Sequence, residues 1–208
     1  MPRTYVYVDG FNLYYGCLRG RPYRWLDLDA FCRCMLPAHD ILRINYYTAR
    51  VGRRTNDPGQ SIRQETYLRA LNTLPTVRTH FGHFLSHPVR MPLAAPPLDG
   101  SKFVLVRKTE EKGSDVNLAT HLLADAYESA FDLAILVTND SDLLAPVELV
   151  RNRLGKNVGV LNPHKHGAKV LAKAASFVRA IRPGVLRANQ LPDELVDANG
   201  TFRKPAGW

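Results

Sequence analysis

The chain has 208 residues, of which 45% are hydrophobic and 23% are charged. This length and apolar content suffice for one substantial core without structural disulfides or a structural metal. The longest apolar runs, such as 133–137, are far shorter than the roughly 20 residues needed to cross a bilayer, so no membrane association is expected. The amino terminus lacks the features of a secretory signal, and we therefore expect a cytoplasmic protein.

The charge balance favours a polyanionic partner. The 28 Lys and Arg residues outnumber the 19 Asp and Glu residues, which gives a formal net charge of +9. Such a balance is typical of nucleic-acid-binding proteins, although a basic surface that only keeps the protein soluble explains it equally well. Local clustering favours the first interpretation. The candidate nucleic-acid-binding residues are Arg50, Arg53, Arg54, Arg63, Lys165 and Lys169.

The cysteines and histidines leave two metal-site alternatives open. The three cysteines are Cys17, Cys32 and Cys34, and no second pair completes a zinc site with the Cys32-x-Cys34 spacing, so reduced thiols are the simpler interpretation. His80, His83 and His87 are spaced along a candidate hairpin. Ordinary surface or core histidines explain them better than metal ligands do.

Strand-like runs alternate with helical periodicity along the chain. The predicted elements are strand 5–8, helix 28–35, strand 41–48, helix 61–72, strand 76–84, strand 102–107, helix 115–130, strand 133–138, helix 143–154, strand 157–161, helix 168–175 and strand 177–181. Strand 102–107 either returns to the sheet or forms a hairpin with residues near 80–84. This alternation predicts a three-layer α/β/α fold with a mostly parallel central sheet.

One domain is expected to cover residues 1–182. Within it, four prolines make 86–101 an irregular excursion without regular structure. The tail, 183–208, has too few apolar residues to form a domain, and we expect it to be a short helix or partly disordered.

Four aspartates are expected to converge at one edge of this sheet. Asp9 ends the first strand, Asp140 and Asp142 follow the strand 133–138, and Asp115 begins the helix before that strand. Ligands of open parallel sheets bind beyond the carboxyl ends of the strands, where the strand order reverses. Clustered carboxylates repel one another, and a hard divalent ion such as Mg²⁺ or Mn²⁺ relieves this repulsion. The alternative is a purely structural role, in which these aspartates only end strands or cap helices.

Three sequence blocks around these aspartates resemble those of the NYN domain, a member of the PIN-like nuclease group with a Rossmann-like sheet. They are Asp9-Gly10-Phe11-Asn12, Lys112-Gly113-Ser114-Asp115 and Thr138-Asn139-Asp140-Ser141-Asp142, and the resemblance covers about 3–182. It implies that Asp9, Asp115, Asp140 and Asp142 bind the metal, that Asn12 orients a ligand or phosphate, and that Lys112 contacts the scissile phosphate. Asn139 occupies a position where many relatives have glycine.

The resulting expectation is a Mg²⁺- or Mn²⁺-dependent endoribonuclease that hydrolyses RNA phosphodiester bonds through metal-activated water. Only the resemblance favours RNA over DNA, and it implies single-stranded RNA or structured RNA such as tRNA. A non-catalytic RNA-binding or scaffold module is the main alternative. A small-molecule phosphatase is less favoured, because Phe11 stands where the haloacid dehalogenase type needs a second aspartate. The sequence leaves the oligomeric state open, a homodimer included.

Overall fold

Six parallel strands form the central sheet of the computed structural model, which describes residues 1–52 and 57–208. The strands of the sheet are β1 (Arg3–Asp9), β2 (Asp40–Thr48), β3 (Val77–Phe81), β6 (Leu133–Val137), β7 (Asn157–Asn162) and β8 (Phe177–Ala180). Their order across the sheet is β3-β2-β1-β6-β7-β8. Two further pairs of strands form separate two-stranded sheets: β4 (His83–Pro92) with β5 (Phe103–Lys112), and β9 (Glu194–Asp197) with β10 (Gly200–Arg203).

Helices cover both faces of the central sheet, which confirms the predicted three-layer α/β/α fold. The helices are α1 (Gly10–Leu13), α2 (Leu28–Met35), α3 (Gln60–Leu71), α4 (Ser114–Tyr127), α5 (Leu144–Glu148), α6 (Lys169–Ala174) and α7 (Pro183–Ala188). The helix predicted at 143–154 is interrupted, since α5 follows a 3₁₀ turn, Ser141–Leu143, and runs into a π-helical turn, Leu149–Arg153. None of the described helices is long and apolar enough to span a membrane.

The alternation of side chains along β1 divides the core into two layers. Val6 and Val8 point to one face and join a cluster that includes residues of α2 and α3. Tyr5 and Tyr7 point to the opposite face and join a cluster that includes residues of α4 and α5. Because successive side chains of a strand point to opposite faces, a segment buried on both faces is apolar along its length, as 5–8 of β1 and the whole of β6 are.

The strand order reverses between β1 and β6. From β1 the chain builds outward through β2 to β3, and after β6 it builds in the other direction through β7 to β8. The carboxyl ends of β1 and β6 therefore lie side by side, while the connections that leave them diverge. This arrangement opens a crevice beyond Asp9 and Thr138, the kind of position where open α/β sheets bind ligands.

The irregular excursion was predicted at 86–101, but in the structure it begins only after Pro92. Residues 86–92 belong to β4, which pairs with β5 in a ten-residue antiparallel register from His83↔Lys112 to Pro92↔Phe103. Pro88 and Pro92 are tolerated because each strand of a two-stranded sheet has a free edge, where no N–H is needed.

The strand predicted at 76–84 is divided in the structure, since β3 ends at Phe81 and the chain leaves the central sheet at Gly82. A Cβ at Gly82 would lie 2.5 Å from the backbone carbonyl oxygen of Lys112, so only glycine fits this close approach.

The segment 183–208 packs against the domain. After α7, strands β9 and β10 form a hairpin, and Leu186, Leu191 and Phe202 are buried in the same cluster as α2 and α3. Arg69 of α3 forms an ion pair with Asp197 at 2.6 Å. The indole Nε1 of Trp25 donates to the carbonyl of Pro192 at 2.8 Å. The segment therefore completes one side of the core.

Truncation of Leu186 tests this packing. Leu186 is 1% exposed, so Leu186→Ala should lower the free energy of unfolding by about 2–4 kcal/mol through lost burial and a residual cavity. Urea unfolding followed by circular dichroism measures the change. Val196→Ala, at a position that is 69% exposed, is the control and should change stability by less than about 0.5 kcal/mol. Equal, small effects of both substitutions would show that the segment is not docked.

Candidate metal centre at the carboxyl ends of β1 and β6

Three of the four predicted aspartates meet in the crevice between β1 and β6. Asp9 is the last residue of β1, Asp140 follows β6, and Asp115 lies in the first turn of α4. Each contributes a carboxylate oxygen to a group in which all the oxygens lie within 4.8 Å of one another. More than a hundred residues of the chain separate Asp9 from Asp140. The fold therefore brings these side chains together.

Asp9 is held rigidly from both sides. Its Oδ1 accepts from the backbone N–H of Asn12 at 2.9 Å, and its Oδ2 accepts from the Thr138 hydroxyl at 3.1 Å. Burial raises the pKa of Asp9, since it is only 5% exposed, and these hydrogen bonds oppose the rise by stabilising the charged form. Gly10 is required beside it, because a Cβ there would lie 2.6 Å from the carbonyl oxygen of Tyr47.

A chain of hydrogen bonds positions Asp140. The Thr138 hydroxyl accepts from the backbone N–H of Asp140 at 3.1 Å while donating to Asp9. The side-chain oxygen of Asn12 accepts from the backbone N–H of Asn139 at 2.9 Å. Asn12 and Thr138 thereby fix the turn after β6 relative to the end of β1. This is a positioning role for Asn12, and direct contact of Asn12 with a ligand stays a prediction.

Asn139, which stands where the family resemblance leads us to expect glycine, makes two side-chain hydrogen bonds. Its side-chain oxygen accepts from the backbone N–H of Ala168 at 2.6 Å, and its amide donates to the carbonyl of His166 at 3.1 Å. A glycine could make neither bond. Asn139 therefore ties the loop between β7 and α6 to the acidic crevice, and this loop carries Lys165.

Asp115 is placed by an unusual helix start. Gly113 precedes α4 with φ of 97°, a left-handed conformation that favours glycine, and Glu111 accepts from the Ser114 N–H at 3.1 Å and from its hydroxyl at 2.7 Å. Partial desolvation and then the nearby carboxylates of Asp9, Asp140, Glu111 and Asp142 raise the pKa of Asp115 to about 6. The mutual repulsion of these acids is the property that a divalent cation relieves.

The spacing of the three aspartates suits a small divalent cation. At bond lengths of about 2.1 Å, an octahedral magnesium ion separates its ligand oxygens by about 3.0–4.2 Å. The observed limit of 4.8 Å requires only a small inward movement of the side chains. Carboxylate oxygens are also among the donors that Mg²⁺ and Mn²⁺ prefer. Asp9, Asp115 and Asp140 therefore fit such an ion.

The structure does not place Asp142 and Lys112 within this group. Asp142 is exposed, and its backbone N–H donates to Asp140 Oδ1 at 3.0 Å, so its carboxylate contributes to the local charge from outside the group of three. Lys112 ends β5, and its ammonium lies 3.4 Å from Glu110. Their direct roles in metal and phosphate binding stay predictions.

The predicted basic residues fall in three situations. Arg53 and Arg54 lie outside the described residues. Arg50 and Arg63 form ion pairs, with Glu65 at 2.9 Å and with Asp57 at 2.6 Å. Lys165 and Lys169 are exposed on and just after the loop that Asn139 holds against the crevice. Of the described candidates, these two lysines are therefore the best placed to attract a polyanion to the site.

Sequence reasoning missed several residues around the crevice. The cavity measures about 420 Å³ and is lined by residues that include Phe84, Thr109, Glu111 and His164. The position of His164 was predictable, because it follows β7, whose end neighbours that of β6. Phe84, Thr109 and Glu111 reach the cavity through the base of the β4–β5 hairpin, and no sequence signal locates them there.

The order of the blocks and their convergence agree with a comparison of the chain with known families. The family model described as NYN domain matches residues 3–181. The chain belongs to the NYN domain family. This confirms the resemblance inferred from the three sequence blocks and places the protein within the PIN-like nuclease group.

Two known proteins share this NYN fold or sequence. The chain is 32% identical to the protein named 6-hydroxy-3-succinoylpyridine 3-monooxygenase HspA from Pseudomonas putida, over 99% of this chain and 75% of that protein. It also matches the crystal structure of a protein of unknown function from Vibrio parahaemolyticus, with a TM-score of 0.56 and 20% identity, covering 88% of this chain and 94% of that one. The second likeness concerns the fold alone.

Removal of one acid should stabilise the metal-free NYN domain. Because the pKa of Asp115 is raised from 3.8 to about 6, its ionisation costs stability that appears as pH rises through this window and is fully present above it. Asp115→Asn should therefore raise the free energy of unfolding at pH about 7.5 by on the order of 1 kcal/mol, a figure reduced for the exposure of the side chain. The gain should shrink towards zero near pH 4.

Urea unfolding with and without EDTA measures this effect. Asp99→Asn, at an exposed loop position, is the matched control and should change little. Millimolar Mg²⁺ should stabilise the wild-type protein and have a much smaller effect on Asp115→Asn. A loss of stability in Asp115→Asn at neutral pH would contradict the crowding of negative charge described above.

Proposed function

We propose that this NYN protein is a Mg²⁺- or Mn²⁺-dependent endoribonuclease. The observation that carries the proposal is the convergence of Asp9, Asp115 and Asp140 within 4.8 Å at the reversal point of the sheet. Carboxylates gathered at a cost in electrostatic energy indicate a function that uses their charge. Membership of the NYN family supports nucleic acid as the substrate class.

The residues of the chain have distinct roles in this proposal. Asp9, Asp115 and Asp140 would hold the ion, while Asn12 and Thr138 keep two of these carboxylates in place through hydrogen bonds. When bound, a divalent cation supplies Lewis acidity that polarises the phosphate, promotes deprotonation of a water molecule and offsets charge on the leaving oxygen. Phosphodiester hydrolysis by this route requires no side-chain nucleophile.

The surroundings of the crevice support a polyanionic substrate. The net charge of +9 attracts RNA over a long range. The exposed Lys165 and Lys169 lie on and just after the loop that Asn139 ties to the crevice. The base of the β4–β5 hairpin contributes Phe84, Thr109 and Glu111 to the crevice, and the exposed Arg90 and Arg107 lie farther along its strands. An extended single strand, or a loop of a structured RNA, suits an open crevice with basic residues on the neighbouring loop and hairpin.

Substitution of the central acids tests the nuclease. Asp9→Asn and Asp140→Asn should each lower cleavage of a labelled single-stranded RNA pool in Mn²⁺ by about 10²-fold or more, because each removes a charged ligand. EDTA should abolish cleavage by the wild-type protein. Asp99→Asn should cleave as the wild type does, and circular dichroism should show that all variants fold.

The cleavage pattern decides between the remaining alternatives. Internal cuts in a circular RNA would establish endonucleolytic action. If the protein binds RNA but shows no cleavage that requires the metal and both aspartates, the non-catalytic module would be favoured instead. Wild-type rates in both variants would refute the proposed site.

Oxygenation of a small aromatic substrate is a second candidate. It is favoured by the 32% identity with a protein named as a pyridine monooxygenase. Such a reaction would consume O₂ together with an external reductant, so NADH oxidation and O₂ uptake with a hydroxylated succinoylpyridine test it on the same preparation. O₂ uptake that depends on this substrate, in the absence of RNA cleavage, would replace the nuclease proposal.

A further inference from the structure

A second cavity adjoins the acidic crevice. It measures about 130 Å³, and Phe11, Tyr15 and Val51 line both it and the crevice, so the two share a wall. We call it the aromatic cavity. An apolar cavity of about 150 Å³ is known to accept benzene, so the aromatic cavity has the size of one six-membered ring.

The walls of the aromatic cavity are rich in rings. Its aromatic lining residues are Phe11, Tyr14, Tyr15, Tyr46, Tyr67 and Trp208. Tyr46 and Tyr67 pack edge to face at a centroid distance of 6.4 Å, and Trp208 lies 5.9 Å from Tyr67. Trp25 and Tyr47 are fully buried in the core and do not line this cavity. Rings that present faces and edges to one small space favour a planar aromatic ligand.

Two hydrogen-bond donors at this cavity lack an acceptor among the described residues, and one arginine lacks an ion-pair partner among them. Arg63 is neutralised by Asp57 at 2.6 Å, whereas Arg24 makes no ion pair with any described residue. The four residues 53–56, which lie outside the described part, contain no carboxylate. Arg24 Nε and Trp208 Nε1 are buried and lack an acceptor among the described residues. Arg24 contacts instead the ring of Trp208, at 5.4 Å from its centroid, and the carbonyl of Gly207.

We propose that the aromatic cavity binds a planar six-membered ring that carries a carboxylate or phosphate group, with the ring between the tyrosines and the anion at Arg24. A six-membered ring matches the size and shape of the cavity. The anion supplies a negative charge for Arg24 and hydrogen-bond acceptors for Arg24 Nε and Trp208 Nε1. A nucleoside monophosphate and a free pyridine or benzene carboxylate share this chemistry. The proposal does not depend on the nuclease activity.

Binding of two anionic probes and their neutral counterparts tests the site. Nicotinate and uridine 5′-monophosphate are titrated against the full chain in EDTA by calorimetry and by Trp fluorescence, with nicotinamide and uridine as the neutral counterparts. At least one anion should bind with a Kd on the order of 0.1–1 mM, the range for a ligand of this size. Its neutral counterpart should bind at least about 10-fold more weakly, the difference expected from a charge-assisted hydrogen bond.

Variants locate the binding. Arg24→Gln should raise the Kd at least about 10-fold, and Tyr15→Leu, at a half-exposed wall position, should raise it roughly 3-fold or more. Arg21→Gln and Tyr127→Leu, both at exposed positions outside the cavity, are the matched controls and should bind as the wild type does. Tyr15→Leu keeps the test valid if Arg24→Gln fails to fold.

Each outcome decides the proposal. Binding of nicotinate alone would assign a free aromatic acid, binding of the nucleotide alone would assign a nucleotide, and binding of both would support the shared chemistry. No binding of either anion at about 20 mM, or binding that Arg24→Gln and Tyr15→Leu both leave unchanged, would overturn the proposal. Asp140→Asn should bind the probes normally, which separates this result from that of the nuclease test.

Discussion

Repulsion among three carboxylates is the constraint on which the site depends. Asp9, Asp115 and Asp140 lie together although burial and the charge of Asp140 raise the pKa of Asp9. Burial and the charges of Asp9 and Asp140 raise the pKa of Asp115 to about 6. Unlike the exposed ion pairs elsewhere on the surface, this group lies in a crevice that no Lys or Arg of the described residues lines. The fold holds it together through the buried strands β1 and β6 and through hydrogen bonds from Asn12 and Thr138. The stability of the sheet thus sustains a locally unfavourable arrangement, as is common at functional sites.

The fold and two of the site residues were predictable from periodic patterns and from the rule that open parallel sheets bind ligands where the strand order reverses. Continuous apolar strands identified β1 and β6, and the reversal of strand order then placed Asp9 and Asp140 at one edge. Helix α2 was predicted at its observed bounds, 28–35, with Pro37 after its end, and the structure adds the cap that Asp27 supplies at its start. Such features are local, so a single sequence contains them.

The parts that were not predictable depend on contacts between distant segments. Prolines in 86–101 argued against a strand, but β4 needs only one partner and leaves its other edge free. The aromatic cavity requires Arg24 to meet Trp208, and this depends on how the segment after α7 docks on α2 and α3. Glu111 reaches the start of α4 only because Gly113 turns the chain sharply there. None of these contacts leaves a periodic signal.

Anomalous diffraction from crystals soaked in Mn²⁺ tests most directly where a divalent ion binds. We expect one strong manganese peak at about 2.0–2.4 Å from carboxylate oxygens of Asp9, Asp115 and Asp140 together. A peak elsewhere on the molecule, or none at this position at millimolar Mn²⁺, would contradict it.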